Sequence, residues 1–138
     1  MNTNKKTARI MVDVKIILSA LWAARMLSGL QGDVVRFMGP GKLEEYIEGT
    51  TGMTITNELL LVMSIVFFVP ILMVFLSLLL KPKVNRWANI VLGIFFTVFL
   101  PITMLMTTYA YYIFLGIVEI VFTALIVWYA WKWPKQEA

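Results

Sequence analysis

The sequence predicts an all-α membrane protein: a bundle of four transmembrane helices with a short interfacial helix in its first extracytoplasmic loop. The 138 residues form a single domain in which 60% are hydrophobic and 14% charged, whereas soluble domains carry about 25% charged residues. No charged residue occurs between Trp87 and Val118. That stretch is long enough to cross a bilayer core of about 30 Å and turn back. Basic residues flank the apolar stretches, as is typical of membrane proteins.

The first predicted span, residues 12–38, contains charged residues. Its uninterrupted apolar stretch, residues 16–24, is too short to cross a bilayer alone, so Arg25 is expected at membrane depth. A helical grid with spacings of three and four collects the polar and small side chains of this span on one stripe. The stripe contains Arg25, Ser28, Gly29, Gly32, Asp33 and Arg36.

The loop after the first span begins with a predicted turn at Gly39-Pro40-Gly41, because proline fixes one backbone angle and glycine permits a sharp change of direction. Residues 42–48 then predict a short interfacial helix. In this helix we expect Leu43, Tyr46 and Ile47 to face inward.

The remaining spans are predicted at residues 59–80, 87–106 and 111–131. Thr56 and Asn57 stand where the N-cap of the second span belongs. In the third span Asn89, Gly93 and Thr97 repeat every four residues. Small and polar residues at this spacing favour close helix contact. The face that contains these three residues could therefore be the interface of a homodimer.

The topology follows from the basic residues outside the spans. The N-terminal arm, the turn at residues 81–86 and the C-terminal tail hold nine Lys and Arg residues, whereas the first loop holds two. Cytoplasmic segments of membrane proteins carry the excess of basic residues. We therefore expect a multi-pass protein of the bacterial inner (plasma) membrane with both termini in the cytoplasm.

The composition argues against several classes of function. The chain has no Cys and no His, which excludes disulfides, cysteine nucleophiles, His-ligated haem and ordinary zinc sites. Only Glu119 or Asp33 could serve as a base at membrane depth, and no phosphate loop or metal-ligand cluster accompanies them. We expect neither an enzyme nor a protein with a cofactor or metal. Nucleic acid is not an expected partner, because the basic residues flank apolar spans.

Two charges at membrane depth are the candidate site. Arg25 lies ten residues past Lys15 and Glu119 eight residues past Tyr111, so at 1.5 Å per residue they reach depths that differ by about 3 Å. We expect them to face each other. They could be a buried ion pair that only fixes helix register, or they could line a polar cavity that binds a ligand. The predicted ligand-binding set is Arg25, Ser28, Gln31, Asp33, Arg36, Tyr112, Glu119 and Thr123. Within it, Asp33 and Arg36 are expected to form a local pair.

The first span and the loop after it resemble the DoxX-like superfamily of small four-helix bacterial membrane proteins. Arg25 with Gly29 and the segment Gly39-Pro40-Gly41-Lys42-Leu43 carry the resemblance, which covers about twenty positions. The resemblance implies a four-helix bundle. It also implies a membrane role of the kind found in that superfamily, whose members are linked to quinone-related oxidoreductase assemblies or are uncharacterised. It implies no catalytic residue.

Three classes of function remain open. The first is binding of a small amphipathic or anionic ligand between the helices, with Arg25 as the anion contact and Glu119 as its counter-charge. The second is a proton-coupled small-molecule transporter with Glu119 as the protonatable group. The third is an accessory subunit of a membrane complex that uses the face of Asn89, Gly93 and Thr97.

Overall fold

The computed structural model describes residues 2–105 and 108–133, and every regular element in these ranges is an α-helix. The predicted all-α class is therefore confirmed. The helices are α1 (Asn2–Phe37), α2 (Lys42–Ile47), α3 (Asn57–Leu79), α4 (Pro82–Met104) and α5 (Ala110–Lys132).

All four long helices begin earlier than the sequence indicated, and two of them do so by five residues or more. The prediction started the first and third spans at residues 12 and 87, but α1 begins at Asn2 and α4 at Pro82. The predicted starts were placed where the charged segments of the chain end. A helix can continue into a charged segment, because water solvates the charged side chains there. Proline is also well suited to the first turn of a helix. The predicted end of the third span, residue 106, lies outside the described residues.

The ends of the helices agree with the turn and capping residues of the sequence. α1 ends at Phe37, and Gly41 adopts a left-handed conformation with φ of 75° before α2 begins. This conformation costs little only for glycine. The Thr56 hydroxyl accepts a hydrogen bond from the Leu59 amide at 3.2 Å and caps α3.

The long helices pack in the order α3, α1, α5, α4, with few direct contacts between α3 and α4. Lys15 of α1 donates to the carbonyl of Leu80, just after α3, at 2.8 Å. Arg86 of α4 donates to the carbonyl of Ala130 near the end of α5 at 3.1 Å. Both cations therefore meet the carbonyl ends of neighbouring helices, where positive charge is favourable. We call this end of the molecule the basic end, and the opposite one the α2 end.

The hydrophobic core lies mainly toward the basic end and joins the four long helices. Trp22 of α1 and Phe96 of α4 meet edge to face with ring centroids 5.9 Å apart, a favourable arrangement of two rings. The core residues are Leu18, Trp22, Met73, Ile90, Phe96, Ile126, Ala130 and Trp133.

Within the described ranges, α3, α4 and α5 are long and apolar enough to cross a membrane. Each has 23 residues, which at 1.5 Å per residue exceeds a bilayer core of about 30 Å. α1 is not one of the three, because charged and polar residues interrupt its apolar stretch. The helices suggest a membrane protein.

The orientation predicted for α2 is wrong for two of its three apolar residues. Tyr46 is half-buried and its ring lies 5.2 Å from that of Phe37, but Leu43 and Ile47 are exposed. A helix of six residues packs against the rest of the molecule with only one side. In α2 this side contains Tyr46 and Lys42, and the Lys42 ammonium lies 5.1 Å from the centroid of the Tyr109 ring.

Candidate functional site

The candidate site is centred on an ion pair between α1 and α5. Nη2 of Arg25 lies 3.5 Å from Oε2 of Glu119, and the side chains are only 2% and 12% exposed. The expectation that these two residues face each other is confirmed. Burial of both charges is tolerable because each neutralises the other.

Part of the hydrogen-bonding capacity of the Arg25 guanidinium group is unused. Its central carbon lies 4.5 Å from the centroid of the Phe96 ring, within the range of a cation–π interaction. Among the described residues, Nη1 donates to the sulfur of Met26 alone, at 3.3 Å, and sulfur is a weak acceptor. Nε is buried and has no hydrogen-bond partner in the same part of the chain.

Ser28 and the other member of the pair, Glu119, also have unused hydrogen-bonding capacity. The hydroxyl of Ser28 is buried one turn along α1 from Arg25 and has no partner among the described residues. The carboxylate of Glu119 accepts no hydrogen bond from the described residues. Buried polar atoms are usually hydrogen-bonded, and each exception calls for an explanation. We call Arg25, Ser28 and Glu119 the arginine cluster.

Gly29 allows the carboxylate of Glu119 to approach the backbone of α1. A Cβ atom at Gly29 would lie 3.4 Å from each oxygen of that carboxylate. Any longer side chain would therefore push Glu119 away from its partner. Gly29, which together with Arg25 carries part of the resemblance to the DoxX-like superfamily, is thus part of the contact between α1 and Glu119.

The other predicted site residues separate into two groups at different heights. Thr123 is buried, and its hydroxyl accepts a hydrogen bond from Thr97 of α4 at 2.9 Å. Arg36 lies at the α2 end, where its guanidinium carbon is 5.7 Å from the ring of Tyr112 and 5.8 Å from that of Tyr46. Thr123 lies one turn along α5 from Glu119, whereas Arg36 and Tyr112 lie nearer the α2 end.

Gln31 and Asp33 lie on an exposed part of α1, and their role in ligand binding stays a prediction. The charges of Asp33 and Arg36 attract each other as expected, but the two side chains form no close ion pair in the described part of the chain. Among the described side chains Arg36 instead approaches the two tyrosine rings, and it forms no ion pair within 4.0 Å.

A second buried polar group lies nearer the basic end. Nε1 of Trp22 donates to Oδ1 of Asn89 at 2.7 Å, and Nδ2 of Asn89 donates to Oδ1 of Asn85 at 2.7 Å. Nδ2 of Asn85 donates in turn to the carbonyl of Ser77 at 2.6 Å. We call Trp22, Ser77, Asn85 and Asn89 the asparagine cluster. The sequence analysis missed it, although Asn85 and Asn89 are four residues apart, the spacing of one helix face.

The face assigned to a homodimer is occupied by the chain itself. Asn89 belongs to the asparagine cluster, and a Cβ atom at Gly93 would lie 2.7 Å from a methyl group of Val127 on α5. Thr97 donates a hydrogen bond to Thr123, which is also on α5. The four-residue repeat therefore brings α4 close to α5 and α1 within one molecule, as small residues do in membrane bundles.

An open hollow of about 520 Å³ lies at the α2 end, lined by residues 46–49 and 52–55. None of the predicted ligand-binding residues lines it. The arginine cluster lies instead in the packed interior of the bundle.

Fold and site together define a small helical protein with three candidate membrane spans and an ion pair buried between its first and last helices. Residues 8–138 match a family described as a family of unknown function (DUF6326), and the chain belongs to that family. Comparisons with curated proteins and with solved structures gave no match. The resemblance to the DoxX-like superfamily stays a prediction.

Proposed function

We propose that the protein crosses the bacterial inner membrane four times, with both termini in the cytoplasm. α1 has 36 residues, and at 1.5 Å per residue its length of about 54 Å exceeds the thickness of a bilayer. Its buried charge is neutralised by Glu119. The basic residues Lys15 and Arg86 lie at one end of the bundle, and the excess of basic residues marks the cytoplasmic side.

We further propose that the protein binds a small amphipathic or anionic ligand at the arginine cluster. The observation that carries this proposal is the unused hydrogen-bonding capacity of a buried cation. Within residues 2–105 and 108–133, Nε of Arg25 has no partner, and neither has the hydroxyl of Ser28. Charge-assisted hydrogen bonds from a guanidinium group to an anion are among the strongest in proteins. Arg25 is the anion contact, Ser28 a second donor, and Glu119 the counter-charge when no ligand is bound.

The test is copurification from membranes in mild detergent, followed by mass spectrometry of the bound small molecules. We expect an anionic or amphipathic compound at stoichiometric amount with the wild type. It should be absent from the double variant Arg25→Gln with Glu119→Gln, which carries no net charge change. An equal amount on both proteins would show that the arginine cluster does not bind it.

Proton-coupled transport is a second candidate function. The Glu119 side chain keeps 12% of its surface exposed, so that a proton can reach it, and no described residue donates a hydrogen bond to it. A pH-driven flux in proteoliposomes that is lost in Glu119→Gln would favour transport over simple binding.

The third class, an accessory subunit held through Asn89, Gly93 and Thr97, has less support than the other two. Asn89 and Gly93 are buried and Thr97 is half-buried, and all three contact other helices of the same chain.

A further inference from the structure

We propose that the hollow at the α2 end binds the head group of a membrane lipid that carries a primary ammonium group, as an ethanolamine phospholipid does. This inference rests on the proposed function only for the passage of α3 across the membrane, and the arginine cluster plays no part in it. It adds a second binding site and the chemical class of its ligand.

The hollow has the size of a binding site. Its volume of about 520 Å³ lies in the range of about 300–1,000 Å³ that is typical of small-molecule sites. Its walls come from the end of α2 and from the segment between α2 and α3. Gly49 and Gly52 in this segment have φ of 68° and 75°, a conformation that costs little only for glycine. The curvature of the hollow is therefore specified by the sequence.

Glu48 is the one charged side chain among the residues that line the hollow, and no cation neutralises it. In the described part of the chain its carboxylate has no ion-pair partner within 4.0 Å. Lys42 pairs instead with Glu45 at 2.8 Å, and Arg36 lies against the ring of Tyr46. The hollow therefore offers an unpaired negative charge, which favours a cationic ligand.

The apolar walls of the hollow are too exposed to be explained by packing within the chain. Ile47, Met53 and Ile55 are 76%, 60% and 44% exposed. Contiguous exposed apolar side chains mark binding sites for ligands, membranes or other proteins. A free amine would pair with Glu48 and leave these side chains in water, whereas the glycerol group and acyl chains of a lipid would cover them. The ligand is therefore an amphiphile with a cationic group.

The hollow lies where lipid head groups are expected. α3 begins at Asn57, two residues after Ile55, and is long and apolar enough to cross a membrane. Its 23 residues extend over about 34 Å at 1.5 Å per residue, slightly more than a hydrocarbon core of about 30 Å. The first turn of α3 thus lies in the head-group layer, and so does the hollow beside it. A lipid reaches the hollow from the bilayer surface without entering the bundle.

A primary ammonium group suits Glu48 better than a quaternary one. It carries three N–H donors, and charge-assisted hydrogen bonds are about twice as strong as neutral ones. A choline head has the same charge but no donor. The hydroxyl of Thr54, which also lines the hollow, can donate to the lipid phosphate. We therefore expect ethanolamine lipids to bind more tightly than choline lipids with the same acyl chains.

The experiment counts the lipids bound to the full chain by native mass spectrometry. The protein is kept in mild detergent with equal amounts of phosphatidylethanolamine and phosphatidylcholine that have the same acyl chains. We expect one phosphatidylethanolamine per chain on the wild type. Glu48→Gln should weaken this binding at least about tenfold, the effect of losing a hydrogen bond to a charged group.

The matched control is Glu44→Gln. Glu44 is an exposed carboxylate of the same helix that is not among the residues lining the hollow, so this variant should bind the lipid like the wild type. Equal losses in the two glutamine variants would show attraction by the net charge of α2 and overturn the site. Equal binding of the two lipids would overturn the recognition of the ammonium group. Displacement of the lipid by an equal concentration of free ethanolamine would overturn a lipid as the ligand.

Further outcomes separate this inference from the proposed function. Lipid that stays on Glu48→Gln but is lost from Arg25→Gln with Glu119→Gln would lie at the arginine cluster, which would overturn this inference and support the proposed function. Lipid lost from Glu48→Gln alone supports the inference whatever the arginine cluster binds. Release of the chain from membranes by alkaline carbonate would overturn the four-span proposal and this inference together. If circular dichroism shows that Glu48→Gln unfolds the protein, Ile47→Ser replaces it.

Discussion

The asparagine cluster and the arginine cluster lie side by side in the same bundle and differ in how their hydrogen bonds are met. Trp22 and Arg25 are three residues apart on α1, and Phe96 contacts both. In the asparagine cluster the indole and both side-chain amides have close partners, whereas Arg25 and Ser28 each keep a buried atom without one. A satisfied polar network stabilises one fold. The unsatisfied atoms of the arginine cluster are the reason that we propose ligand binding there and not at the asparagine cluster.

The largest effect should come from breaking the ion pair. Arg25→Ala leaves Glu119 buried without its partner and should lower the free energy of unfolding by about 3–5 kcal/mol. Arg25→Met combined with Glu119→Gln should recover most of the loss, because uncharged residues of similar volume often replace a buried pair at little cost. Thermal unfolding in detergent of both singles and the double checks this as one cycle. Small, additive effects would contradict the pairing.

A somewhat smaller loss is expected in the asparagine cluster. Asn89→Ala removes the acceptor of the Trp22 indole and the donor to Asn85, and buried polar groups left without partners should cost about 2–3 kcal/mol. Ligand retention per folded molecule should stay at the wild-type level, since Asn89 lies outside the arginine cluster. Stability and bound ligand are measured on the same preparation. Loss of ligand without loss of stability would contradict the assignment of ligand binding to the arginine cluster and of a structural role to the asparagine cluster.

Two serines of α1 allow a matched comparison at a smaller scale. Ser19 and Ser28 are each 8% exposed, but only the hydroxyl of Ser19 has a partner, the carbonyl of Val74. Ser19→Ala should lower the free energy of unfolding by about 1 kcal/mol, the usual net contribution of a hydrogen bond to stability. Ser28→Ala should leave the stability of the ligand-free protein unchanged or raise it slightly. Equal destabilisation by both would show that Ser28 is bonded after all.

The smallest effect concerns a contact outside both clusters. Hydrogen bonds to Glu45, and then to Tyr109, raise the pKa of Lys42 above its usual 10.5. A raised pKa of a cation contributes stability below its unfolded value and loses it as the pH passes through the folded pKa. The small difference in melting temperature between wild type and Lys42→Met, seen near neutral pH, should therefore persist up to the usual pKa of lysine and disappear as the pH rises further through the raised pKa of Lys42. A difference that persists there would exclude the charge of Lys42 as its cause.

The sequence predicted the arginine cluster better than the asparagine cluster for a physical reason. Charges at membrane depth are costly, so Arg25 and Glu119 stand out, and counting residues from the helix ends placed them at one height. Asparagines carry no such cost, and their partners come from three helices whose relative rotation the sequence does not define. For the same reason the sequence does not show that Gln31 and Asp33 are exposed on α1.

Pro70 gives α3 a mechanical property that follows from its position. It is fully buried. Since proline has no amide hydrogen, the carbonyl four residues before it loses its helical bond. The backbone of α3 is therefore held less firmly at this point than along the rest of the helix. If α3 crosses the membrane as we propose, its half toward the α2 end can adopt a different tilt in bilayers of different thickness without a change in the asparagine cluster.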